Sequence, residues 1–278
     1  MPLHSVAIER PETWPLGRVY VLADLHIGDP NCDVVEIRKQ IERIRRDEYG
    51  MVILNGDLLN TAIRTGISDI YGETLKPMDA INMLVEMLDP IRDKIIGATT
   101  GNHEWRVYKD DGIDIMRLVC RQLGVEKCYA PEGVFIFLRL GSMAKHQRHK
   151  DKNPRQLFTI YATHGTGGGR KEGAKAIRMA DMECVVDADI YIHAHTHQAM
   201  DFYNNFFRTN PGNNSVRKAE KLYVNSGAAM DFGGYGQMKE FKPASVRTPV
   251  IFLEPRKARA TAALLCGDQM LSIHDWTE

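Results

Sequence analysis

The sequence lacks any Cys-x-x-Cys pair, and its five cysteines (Cys32, Cys120, Cys128, Cys184, Cys266) are scattered and odd in number. That excludes a disulfide framework and points to a reducing compartment with inert thiols. No uninterrupted apolar run approaches the roughly 18 residues of a membrane helix, so a helical span is excluded. The N-terminus shows no basic segment followed by an apolar one. No secretory signal is therefore expected, and the expected location is cytoplasmic. An excess of either charge is missing too, because 36 Lys and Arg balance 36 Asp and Glu. This removes any global electrostatic case for nucleic acid or membrane binding and leaves only local patches. Internal repeats and low-complexity tracts are also absent.

What is present is ordinary for a globular chain. At 278 residues with 44% hydrophobic content it can bury a large core. One domain over residues 1–278 is expected. Residues 1–17, marked by Pro2, Pro11 and Pro15, read as an irregular N-terminal segment. Residues 141–155 and 204–220 read as surface loops.

Apolar runs of strand type recur at 18–23, 51–54, 94–100, 134–138, 157–161, 190–193, 222–224 and 249–253, with a closing hairpin over 249–271. Between them lie helical patterns. Val34, Ile37, Ile41 and Ile44 recur at spacings of three and four behind Asp33, a plausible N-cap. Pro77 opens a second helix, residues 113–123 form a short third one, and Lys171 to about Val186 reads as a fourth.

The placement of the polar residues is the informative feature. Five of the strands end in Asp24/His26, Asp57, Asn102/His103, His164 and His195/His197. Open α/β architectures bind ligands beyond the carboxyl ends of their strands. In Asp189-Ile190-Tyr191-Ile192-His193-Ala194-His195-Thr196-His197, alternation places all three histidines on one face if the strand continues. If it stops at His193, the last two lie on a loop. Imidazole is the commonest metal ligand near neutral pH, although a lone strand-edge histidine is more often simply solvated. Oxygen and nitrogen donors without thiolate suit Mn, Fe, Zn, Ni or Co. So many ligands exceed what one catalytic metal with an open position needs. They suit two divalent ions sharing a carboxylate, about 3.5–4 Å apart.

The ordered set Asp24-x-His26, Gly56-Asp57-x-x-Asn60, Gly101-Asn102-His103-Glu104, Thr163-His164-Gly165 and His195-x-His197 resembles the calcineurin-like metallophosphoesterases. The resemblance implies a four-layer α-β-β-α sandwich of two mixed sheets flanked by helices. A dinuclear metal site would sit at the carboxyl ends of the strands. It implies that Asp24, His26 and His197 bind one metal, that Asn102, His164 and His195 bind the other, and that Asp57 bridges them. A metal-bridging hydroxide would attack phosphorus in line. His103 would orient the phosphate and protonate the leaving oxygen, with Glu104 as a partner behind it. The final strands are expected in the family's second sheet.

Departures from the family pattern are small. Ala194 stands where the family usually has Gly, and His193 is an extra histidine, read as a polar residue beneath the site. The second motif lacks the Asp-Arg-Gly continuation of Ser/Thr protein phosphatases, which argues against a phosphoprotein substrate.

Asp-Leu-His-Ile-Gly and Gly-Asp-Leu-Leu-Asn resemble the repair-exonuclease branch more than the phosphatase branch. The expected substrate is accordingly a phosphodiester in DNA, RNA or a nucleotide. A phosphomonoesterase is the alternative, and a non-catalytic scaffold is the reading from another class. Gly167, Gly168, Arg170 and Asn60 are candidate substrate contacts, because a glycine turn before a helix offers backbone N–H groups to an anion. The basic link 145–155 could track a nucleic-acid backbone or be a solvated tip. Trp105 could stack on a base or form a wall. Manganese is the expected metal in vitro. Self-association stays open.

Overall fold

The apolar runs form the centres of two six-stranded sheets. The structure is a computed structural model, and it describes residues 3–63, 70–143, 154–167, 171–230, 248–266 and 269–271. In chain order the elements are β1 (Ser5–Glu9), β2 (Gly17–Leu22), α1 (Val34–Arg46), β3 (Gly50–Asn55), α2 (Pro77–Leu88) and β4 (Ile95–Thr99). Next come α3 (Asn102–Asp111), α4 (Ile115–Gln122), β5 (Val134–Ser142), β6 (Arg155–Ala162), α5 (Glu172–Asp181) and β7 (Ile190–His193). The chain closes with β8 (Met200–Asn210), β9 (Ser215–Asn225), β10 (Thr248–Glu254), β11 (Arg259–Cys266) and β12 (Gln269–Leu271).

One sheet has the order β12-β11-β10-β2-β3-β4 and the other β1-β5-β6-β7-β9-β8. Both mix parallel and antiparallel pairs. Strand β3 is buried along its whole length, because each of its faces has a cover. Val52 and Leu54 meet Ile37, Ile41 and Ile44 of α1 and Leu84 of α2. Met51 and Ile53 point the other way, to Ile136, Ile160 and Ile192 of the second sheet. On the far side of that sheet, Tyr191 and Tyr223 pack under Met179 of α5. Four layers result, α-β-β-α, as the family resemblance implies.

Local signals explain where the helices begin. Asp33 caps α1 by accepting the N–H of Glu36 at 2.9 Å, and Asp114 does the same for α4 with Arg117. No helix among the described residues is long and apolar enough to cross a membrane. Cys32, Cys120, Cys128 and Cys184 are free thiols.

Three expectations are corrected. The segment 1–17 is not wholly irregular, since Ser5–Glu9 forms β1, parallel to β5. Val6 and Ile8 give it an inner face toward the core between the sheets. The stretch 204–220 is not a loop but most of the β8–β9 hairpin, paired from Met200↔Asn225 to Asn210↔Ser215. It reads as polar because its outer part is exposed on both faces and is held by backbone pairing. The C-terminal strands belong to the first sheet, where β10 pairs with β2. As for the basic link, Arg155 lies in β6 and bonds Glu9, while 144–153 fall outside the described residues.

Helix α3 is a further element that apolar periodicity does not reveal. Asn-His-Glu-Trp-Arg-Val-Tyr-Lys-Asp-Asp carries no apolar stripe, and its one buried side chain is Glu104.

Candidate metal centre

Five residues of the candidate site sit in left-handed backbone: Asp24 (φ 50°), His26 (51°), Asp57 (50°), His195 (68°) and His197 (54°). Such conformations cost non-glycine residues on the order of 1–3 kcal/mol each and persist only where the surroundings over-determine them. Backbone bonds between neighbouring turns do that here. Asp24 N–H donates to Gly56 O (3.1 Å), His26 N–H to Asp57 O (3.1 Å) and Ala229 N–H to Asp24 O (3.0 Å). The close approach of Gly101 to Asp57 also requires glycine, since a Cβ there would lie 2.2 Å from Asp57 N.

These turns bring the side chains of both sheets together. Ligand atoms of Asp24, His26 and His197 lie within 4.8 Å of one another, as do those of Asp57, His164 and His195. A third group, His26, Asp57 and His103, shares His26 with the first and Asp57 with the second and so joins them. His197 Nε2 is 3.3 Å from Asp24 Oδ1 and 3.1 Å from His26 Nε2. His164 Nε2 is 3.1 Å from Asp57 Oδ2. Asn102 Oδ1 stands 2.6 Å from His195 Nδ1 and 3.3 Å from His164 Nε2. His103 Nε2 is 4.0 Å from Asp57 Oδ2.

The donor set fits divalent metal ions. Asp24 Oδ1 is buried with no hydrogen-bond donor, although it faces two imidazoles. Ring nitrogens of His26 and His197 point at one another. Backbone carbonyls take the opposite edge of two rings, leaving Nε2 toward the centre. His164 Nδ1 donates to Asn55 O at 2.8 Å, and His103 Nδ1 donates to Asn60 O at 2.7 Å.

Electrostatics follow from the enclosure. Burial alone would raise the Asp24 and Asp57 carboxyls, but His197 beside Asp24 and His164 beside Asp57 hold both below the usual range. Burial pushes His26 and His103 down. It also raises Glu104, aided by the charge on Asp57, to about 7. Glu104 lies beneath the site and accepts the N–H groups of Asp57, Leu59 and Gly101 at 2.9–3.0 Å.

The candidate substrate contacts fare differently. Asn60 is buried, and its amide is bonded to Glu73 (2.6 Å) and Asp29 (3.4 Å). The side chain holds the loop, and the backbone carbonyl holds His103. Gly167 packs against Arg178 of α5, while Gly168 and Arg170 fall outside the described residues. Trp105 stacks on Tyr108 at 4.8 Å. His193 is buried and bonded to Asn225 Oδ1 at 2.9 Å, as a residue beneath the site should be. Sequence reasoning missed Ser226, whose hydroxyl donates to Asp24 Oδ2 at 3.1 Å. The polar Asn-Ser-Gly at the end of β9 was its only signal.

The calcineurin-like phosphoesterase family model matches residues 17–199, which contain the whole cluster. The chain belongs to this family. It is a metal-dependent phosphoesterase, and its substrate is a phosphate ester. No curated protein matches its sequence. Among solved structures the phosphoesterase is similar to a conserved uncharacterized protein (predicted phosphoesterase) of Streptococcus pneumoniae, with 13% identity over 93% of this chain and 94% of that one, TM-score 0.40. It is also similar to a Vps29 double mutant of Entamoeba histolytica (13%, 89% and 98%, 0.39). A metallophosphoesterase of Sphaerobacter thermophilus is a third (12%, 89% and 88%, 0.39).

Proposed function

We propose that the chain is a phosphodiesterase acting on nucleic acid or nucleotides with two divalent ions, manganese among those accepted in vitro. The observation that carries this reading is that Asp57 groups with His164 and His195 on one side and with His26, a member of the other cluster, on the other, with His103 alongside. Asp24, His26 and His197 would hold one ion and Asn102, His164 and His195 the other, with Asp57 placed to contribute to both. When bound, such a pair supplies a water of lowered pKa and neutralises charge on the phosphoryl oxygens.

The chain's own residues do the rest. Glu104 fixes the turn that carries Asp57. His103, with Nδ1–H given to Asn60 O, presents Nε2 to the space beside Asp57. A proton on that nitrogen passes to the leaving oxygen, and the burial that lowers the pKa of His103 favours its release. The preference for a diester is supported by Asp-Leu-His-Ile-Gly and Gly-Asp-Leu-Leu-Asn.

The test compares bis-nitrophenyl phosphate with mononitrophenyl phosphate, using metal-stripped protein given manganese. Faster hydrolysis of the diester is expected, followed by activity on oligonucleotides. Preference for the monoester would replace this reading with a phosphomonoesterase. No turnover of either with metal bound would point to a scaffold.

A further inference from the structure

The extra histidine, His193, has no place in either ligand cluster. It ends β7 directly before the turn that carries His195 and His197, and Asn225 sits opposite it at the end of β9. His193 Nδ1 donates to Asn225 Oδ1 at 2.9 Å. That bond fixes which way the Asn225 amide faces, because only its oxygen can accept the proton. The NH2 group is thereby turned to Thr196 Oγ1 (2.7 Å) and Gln198 O (2.6 Å), with Ser226 O at 3.1 Å. Thr196 lies between the two left-handed histidines, and Gln198 follows the second. Asn225 is fully buried, so water offers no substitute for these bonds.

The opposite edge of the ring serves a second turn. A Cβ on Gly165 would lie 2.0 Å from His193 Nε2, so the ring packs directly under the turn that follows His164. Main-chain bonds tie in the neighbours: Ala194 N–H donates to His164 O at 3.1 Å and Ser226 N–H to His193 O at 3.0 Å. Ser226 then reaches Asp24 through its hydroxyl.

Resting on the metal-centre reading above, we propose that His193 and Asn225 are a positioning pair. They hold the His195-Thr196-His197 turn in its strained conformation so that both imidazoles are presented to the ions. His193 is not itself a ligand. Its N–H sets the orientation of the amide, and the amide sets the turn.

The experiment is a calorimetric titration of chelator-treated protein with Mn2+ alone, paired with the melting temperature of the metal-free form. His193→Leu removes the donor, His193→Asn keeps a donor near the same place, and Asn225→Asp replaces the NH2 group by an acceptor. Loss of an outer partner of a ligand is expected to weaken Mn2+ binding about ten- to hundredfold. For His193→Leu and Asn225→Asp we expect that loss in protein that still folds but melts lower without metal, because buried bonds are removed, and for His193→Asn a recovery of most of the affinity. Affinity equal to wild type in His193→Leu and Asn225→Asp overturns the proposal, and so does equal loss in His193→Leu and His193→Asn. Should the buried variants fail to fold, Thr196→Val in the half-buried turn decides: severalfold weaker binding supports the pair, and unchanged binding overturns it. A wild-type protein that binds no Mn2+ sinks the metal-centre reading itself and this inference with it.

Discussion

The carboxylate of Glu104 accepts the backbone N–H of Asp57 at 3.0 Å, from a position beneath the metal centre. Two further N–H groups, from Leu59 and Gly101, converge on the same side chain. Three donors on two oxygens leave no room for an amide, whose NH2 would face a donor. Glu104→Gln is therefore expected to destabilise the protein by about 1–3 kcal/mol, the cost of a buried group left without its partner. It should also weaken Mn2+ binding, because the turn that carries Asp57 loosens. Thermal denaturation and metal titration together check this. Unchanged values in both would remove Glu104 from the account.

Gly101 lies where a Cβ would meet Asp57 Oδ1 and Asp57 N at 2.1 and 2.2 Å. Backbone on one side and a metal-site carboxylate on the other give that Cβ nowhere to go. Gly101→Ala should cost about 3 kcal/mol or more, at the upper end of overpacking effects. A melting temperature like that of the wild type would mean that the Asp57 turn can shift freely.

His103 offers a different kind of test. Its Nε2 is 4.0 Å from Asp57 Oδ2 and its Nδ1 is held by Asn60 O. His103→Ala is expected to keep bound metal and to slow hydrolysis about a hundred- to ten-thousandfold for esters with poor leaving groups. Nitrophenyl esters should lose much less, because nitrophenolate leaves without a proton. Equal losses on both would assign His103 to phosphate positioning instead of proton donation.

The pH dependence of metal binding has a definite sign. Burial works against the imidazolium of His164, yet the Asp57 carboxylate 3.1 Å away outweighs it and pushes the ring up to about 10 in the metal-free protein. Metal and proton compete for the same nitrogen. Apparent Mn2+ affinity should rise with pH from 6 to 8, with proton release on binding. A folded value above the ordinary ~6.5 also fixes the stability trend. The contribution of His164 is fully present below that value and is lost as pH climbs toward about 10. Chelated protein should accordingly melt lower as pH rises through this window, and metal-loaded protein should not. Calorimetry in buffers of different ionisation enthalpy checks the proton count, and zero release would contradict the pairing.

Much of this was legible in the residues. Apolar runs at 18–23 and 51–54 declare buried strands; Asp24 follows the first directly and Asp57 lies three residues past the second. Asp33 declares the start of α1 and does cap it. The segments that escaped have a common physical cause. Helix α3 is held at its start by Glu104, not by an apolar stripe, so periodicity cannot reveal it. The β8–β9 hairpin is held by eleven paired positions of backbone, and its outer part leaves no alternation in sequence. Asn225 and Ser226 lie far along the chain from the residues they brace, and a lone Asn-Ser-Gly carries no spacing that points back to His193 or Asp24. The left-handed turns were hidden for another reason. Asp and His are enriched at positive φ among non-glycine residues but adopt it only in a small minority of cases, and here the conformation is imposed by neighbouring strands.

Whether Asp57 joins two metal positions can be read from a single titration. Chelator-treated wild type and Asp57→Asn would each be titrated with Mn2+ and the bound metal counted. Two ions per wild-type chain are expected, and in the variant both affinities should fall together. One ion in the wild type, or two ions held at undiminished affinity by Asp57→Asn, would contradict the bridging role of Asp57.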